Sequence, residues 1–131
     1  MSKYLMFQDY VLKDRRLLLA ALAALGYTEV EEGEALPLFG YQGDRRPETA
    51  EIVVRRRFLG AASNDIGFSR TPEGYVPVIS EYDQRALHSG QLLVKLRTAY
   101  SEQVVQEVAR RVRGTARRTV EGSVIKIQVR F

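Results

Sequence analysis

The chain predicts a single α+β domain, with a mainly antiparallel sheet and two to three helices packed on one face. Three observations carry that expectation. One helix is marked at both ends, by Asp14 and Gly26. Clusters of turn residues divide the middle of the chain into short extended runs. After Tyr82, apolar residues recur at three- and four-residue intervals. The 131 residues, 45% hydrophobic and 27% charged, are enough to fill one core and call for no second domain.

Tyr4 to Leu12, rich in aromatic and aliphatic residues, reads as a first strand. Asp14 then offers a side-chain oxygen to the free amides of a helix running to about Leu25, and Gly26 can take the left-handed conformation that stops it. Tyr27 to Val30 restarts an extended segment. Glu31 to Glu34 reads as an acidic turn around Gly33, followed by a short strand from Leu36 to Tyr41. Pro37 in that strand cannot donate a ladder hydrogen bond, which calls for an edge position. Gln42 to Thr49, with Gly43, Asp44 and Pro47, reads as an exposed loop.

Ala50 to Phe58 reads as a strand with Ile52, Val54 and Phe58 on one face and Arg55 and Arg57 on the other. Gly60 to Asn64 turns the chain into Asp65 to Arg70, and Pro72-Glu73-Gly74 turns it again into Tyr75 to Ser80, giving an antiparallel meander. Beyond it, Leu87, Leu92, Leu93, Leu96 and Tyr100 fit one helical stretch. Ser101 opens a second, carrying Val104, Val105, Val108 and Val112, which Gly114 ends. Arg117 to Val120 and Val124 to Phe131 are expected to pair through a turn at Glu121-Gly122.

Composition favours binding over chemistry. Cysteine and tryptophan are absent and histidine occurs once, whereas arginine gathers in knots. Guanidinium groups recognise phosphates and carboxylates but are poor proton carriers. The absence of cysteine removes disulfides and thiolate metal sites and fits a reducing cytosol. The longest apolar run, Leu17 to Leu25, is much shorter than the roughly 20 residues of a membrane span, and the N-terminus lacks the order of a secretory signal, so the expected location is cytoplasmic. A net charge of +4 gives a modest attraction to polyanions.

The order of Asp14-Arg15-Arg16-Leu17-Leu18, Leu25-Gly26-Tyr27, Gly40-Tyr41-Gln42-Gly43, Ala50-Glu51-Ile52-Val53-Val54-Arg55 and Asn64-Asp65-Ile66-Gly67-Phe68 resembles the hypothetical chloroplast reading frame thirty-five family. The resemblance continues through Tyr82-Asp83 and the later helices, and departs from the pattern at Arg110 to Thr115. That family is of unknown function and supplies no catalytic residues. The resemblance implies a compact α+β domain working near an AAA-type ATPase.

No enzyme constellation emerges from the residues. His88 lies near Ser89 and Asp83 in sequence, but a serine triad needs convergence in space, and an exposed histidine is the commoner case. Asp65, Glu51, Glu81 and Asp83 have no calcium-loop spacing, so they read as turn-forming and solvated acids, with no metal or other cofactor expected. Gly40 to Gly43 lacks the lysine of a phosphate loop. The expected binding residues are Arg45, Arg46, Arg55 and Arg57, with Tyr41 and Phe68 as stacking aromatics and Asp65 in a turn that a partner could reach. Arg110, Arg111 and Arg113 read as complements to a helix C-terminus.

These features lead to a noncatalytic protein-binding or adaptor component. It would engage an acidic protein partner, an AAA-type ATPase first, through exposed sheet edges or the Arg45 to Arg57 region. The competing expectation is RNA binding by the same arginines, with a strong salt dependence from counterion release.

Overall fold

The computed structural model describes residues 2–116. Strands β1 (Tyr4–Met6), β2 (Glu31–Phe39), β3 (Arg45–Val54), β4 (Ile66–Thr71) and β5 (Gly74–Ser80) form one antiparallel sheet in the order β1-β5-β4-β3-β2. Helices α1 (Arg15–Ala24), α2 (Glu81–Ala86) and α3 (Leu92–Ala116) complete an α+β fold. The expected meander is present from β2 to β5, with β1 added beside β5.

Local chemistry explains the elements. The Asp14 side chain accepts from the Leu17 amide at the start of α1, and Gly26, at φ +98°, ends the helix as the sequence predicts. α1 and the first half of α3 pack together over one sheet face. Leu18, Leu22, Leu93 and Leu96 meet Ile52, Val54, Phe68 and Ile79 in the main core. From Ser101 to Gly114 no residue of α3 is fully buried, although Val104 still packs against the core.

The opposite sheet face carries a smaller cluster of Tyr4, Leu38, Ala50, Val53 and Val78. It is covered by the distal half of the β2–β3 hairpin, which folds back across the sheet. Arg46, near the hairpin tip, donates to the Ser2 carbonyl beside β1, at the far edge. The Phe39 carbonyl accepts from the Asp65 amide at 2.9 Å. Gly67 lies under this fold-back: a Cβ there would sit 2.6 Å from the Ala50 Cβ and 3.1 Å from Leu38.

Several boundaries differ from the sequence reading. The first strand stops at Met6 because the chain turns at Gln8-Asp9, and Leu12 returns only as an isolated bridge to Tyr75. Tyr27 to Val30 is irregular, and the acidic segment is strand, not turn. Its turn-forming composition produces a register shift between Glu32 and Leu36, with Ala35 at φ +48°. β2 is an edge strand, as Pro37 requires.

The expected loop over Gln42 to Thr49 shrinks, since Arg45 to Thr49 belongs to β3. Pro47 is tolerated there because β4 pairs only with Ile52 to Val54, leaving the earlier part of β3 bonded on one side. β3 ends at Val54, so Arg55 and Arg57 do not share a strand face. Phe58 falls in a 3₁₀ turn, 38% exposed rather than in the core. α3 passes through Ser101 and Gly114 without a break. The interruption comes earlier, at Leu87–Gly90, where His88 and Ser89 take positive φ. The expected hairpin of Arg117 to Val120 with Val124 to Phe131 lies outside the described residues.

Candidate anion-binding groove

The turn after β3 is organised by one buried carboxylate. Asp65 Oδ1 accepts from the Arg56 amide at 2.7 Å, and Oδ2 accepts from the Phe39 amide and from Arg55 Nη1, each at 2.8 Å. The Asp65 carbonyl accepts from the Tyr4 hydroxyl at 2.6 Å. Asp65 thus draws the chain out of the sheet at Arg55 and ties it to β1 and β2. It is fully buried, which corrects its expected place on an accessible turn.

Arg55 is held on every side. It donates to Asp65, to the Pro37 carbonyl at 2.7 Å and to Glu31 through Nε at 2.5 Å, and it lies over the Phe39 ring. The bonds from Arg55 hold the Glu31 carboxyl below its ordinary range, and those same bonds keep the guanidinium proton more firmly than usual. Arg55 is therefore a structural ion-pair partner and not a free binding group.

Its neighbours differ. Arg56 and Arg57 line, with Glu31, Phe39, Gly43 and Asp65, an open groove of about 520 Å³. Arg57 lies over Phe58, and neither Arg56 nor Arg57 forms an ion pair with an acid among the described residues. Arg45 is the register partner of Phe39, so the two side chains occupy the same hairpin face, and Arg45 too is exposed without an acidic partner among the described residues.

Arg46 faces the other way. It covers the Tyr4 ring, donates to Ser2 and approaches Asp44 at 3.9 Å. The four predicted arginines thus separate: Arg55 and Arg57 line the groove, Arg45 sits beside it as the strand partner of Phe39, and Arg46 lies on the opposite side. Phe68 is 1% exposed within the main core and cannot stack on a ligand, which corrects that assignment. Tyr41, 43% exposed, is accessible. Sequence reasoning missed Arg56 as a groove residue because a strict strand would have pointed it inward. The signal available was Asp65, whose side chain is suited to capturing turn amides.

The other candidates have separate partners. The His88 ring meets the Tyr27 hydroxyl through Nε2 at 2.8 Å and approaches Lys95 at 3.5 Å, whereas Asp83 bonds to Asn64 and Ser80. Glu51 accepts from the amides of Ala35 and Arg70. Among the described residues no group of three or more His, Asp or Glu side chains could hold a metal ion, and no helix is long and apolar enough to cross a membrane. At the distal end of α3, Arg110 and Arg111 gather with Arg16 on Glu107.

Burial, then Lys95, lowers the His88 pKa from its ordinary value of 6.5. Because the folded value is the lower one, His88 has no effect on stability well above pH 6.5. As the pH falls below 6.5 the unfolded chain takes up the proton first, so stability falls and levels off below the folded value. Urea titrations between pH 7.5 and 5 are expected to show this component, and His88→Gln is expected to remove it. An identical pH slope in the variant rejects the assignment.

A five-stranded antiparallel sheet with helices on one face and an open, arginine-lined groove defines a small α+β protein. The chain belongs to the family described as protein of unknown function (DUF1257), whose family model matches residues 21–124. No curated protein and no solved structure matches it.

Proposed function

We propose that the protein is a noncatalytic binding or adaptor component, working in the cytoplasm, that holds an acidic segment of a partner protein in the Arg45–Arg56–Arg57 groove. The observation that carries this reading is the contrast between Arg55, held by two carboxylates, and Arg45, Arg56 and Arg57, which form no salt bridge among the described residues, Arg57 acting on Glu31 only through its charge. Guanidinium groups are suited to bidentate contact with carboxylates. An AAA-type ATPase, which the resemblance to the chloroplast reading frame thirty-five family implies, is the first partner to test.

Reversing charge at Arg45, Arg56 and Arg57 to glutamate is expected to weaken the captured complex at least tenfold, on the order of the 1.4 kcal/mol or more that charge complementarity contributes. The melting temperature should stay close to that of the parent. Unchanged affinity rejects the groove. Arg55 is unsuitable for this experiment because its loss would break the Asp65 pair.

RNA binding is the second reading, favoured by the exposed Tyr41 ring on the loop that also brings Gly43 to the groove. Three phosphate contacts would give a slope of about −2 in log affinity against log salt. A flat salt response removes this reading.

A further inference from the structure

Beside the arginine groove, on the other side of the Asn64-Asp65 pair, lies a cleft of about 250 Å³ lined by Ser2, Tyr41, Ala62, Asn64 and Tyr82. Tyr41 and Tyr82 both line it and remain open to solvent, 43% and 39% exposed. Ring faces carry negative potential and attract ammonium groups. Tyr82 is tethered through its amide to Ser2 Oγ at 2.7 Å, and Tyr41 through its amide to Asn64 Oδ1 at 2.9 Å, which fixes the backbone of both walls.

The chemistry behind the floor is anionic. Asn64 Nδ2 donates to Ser80 Oγ at 2.9 Å and to Asp83 Oδ2 at 3.2 Å. Asp83 Oδ2 also accepts from the Asn64 amide and the Ser80 hydroxyl, so every donor to this carboxylate is neutral. Asp83 is fully buried, and among the described residues no cation pairs with it and its Oδ1 has no protein hydrogen-bond partner. A buried carboxylate in that condition is costly unless positive charge approaches it.

Asn64 connects the carboxylate to the cleft, bonding to Asp83 and lining the cleft wall. Its amide nitrogen is committed to Asp83 and Ser80, which orients its carbonyl oxygen away from the carboxylate and polarises it. The Tyr41 amide uses one lone pair of that oxygen and leaves a second available. Arg46, which reaches Ser2 from the far side, is itself opposed by Asp44 and covers Tyr4.

From these features we infer that the Tyr41–Tyr82 cleft is a cation-binding site that accepts the side-chain ammonium of a lysine from a partner protein, with Asn64 as acceptor and Asp83 as the buried counter-charge. The site is independent of the arginine groove: one recognises a carboxylate, the other an ammonium.

The test is a titration of the full-length ¹⁵N-labelled protein with Nα-acetyl-lysine amide, followed through the amide signals of Tyr41, Asn64 and Tyr82. Nα,Nε-diacetyl-lysine amide, of similar shape but uncharged at the tip, serves as control. The expected result is saturable movement of these three signals with the lysine probe and affinity several-fold weaker or absent for the control. Tyr41→Ala and Tyr82→Ala should each weaken binding by roughly 2- to 30-fold, the range of one cation–π contact, while the phenylalanine replacements retain it. Equal binding of the two probes, no movement with either, or full affinity in both alanine variants overturns the proposal. Because the arginine-groove substitutions leave this cleft intact, failure of one site is distinguishable from failure of the other.

Discussion

Asp65→Ala is expected to destabilise the fold by about 3–5 kcal/mol, the range for breaking a buried charge pair by removing one partner. The substitution strands the Phe39 and Arg56 amides and leaves Arg55 with only Glu31 and a carbonyl. Urea unfolding of the variant measures the loss. Asp65→Asn should cost less, because a carbonyl oxygen still accepts one of the two amides. A double-mutant cycle with Arg55→Ala separates the ion pair from the amide contacts. A loss below about 1 kcal/mol for Asp65→Ala would mean that the turn closes without its carboxylate.

The second large effect belongs to Gly67. Gly67→Val is expected to cost about 3 kcal/mol, at the upper end of ordinary overpacking, since even its first carbon meets Ala50 at 2.6 Å. The hairpin would have to lift from the sheet, taking Leu38 and Phe39 with it. Ala50→Gly removes the closest obstacle, so the double variant should recover part of the loss by thermal denaturation. No recovery would locate the clash at Leu38 instead. The prediction depends on close approach alone, because Gly67 has no special backbone angle.

Much of the fold was legible because its signals are local. Asp14 and Gly26 mark α1 through groups that act within one turn, and the Pro72-Glu73-Gly74 turn fixes the β4–β5 register. The errors arose where distant residues decide. Whether Arg55 continues a strand depends on Asp65, and whether Arg45 to Thr49 is loop or strand depends on pairing with Leu36 to Phe39. The site was half legible for the same reason. Clustering marked Arg45 and Arg57, but nothing local distinguished them from Arg46 and Arg55, which the fold engages internally. Burial of Phe68 likewise depends on Leu93 and Leu96 in a helix far along the chain.

The fold-back of the β2–β3 hairpin also governs how this molecule treats other chains. An open sheet margin presents free amides and carbonyls that template a further strand. Here the Phe39 amide and carbonyl are taken by Asp65, the register shift at Ala35 bends the rest of β2, and Glu31, Glu32 and Glu34 add charge to it. The opposite margin, β1, is only three residues long. Self-templated stacking is thereby discouraged at both ends of the sheet.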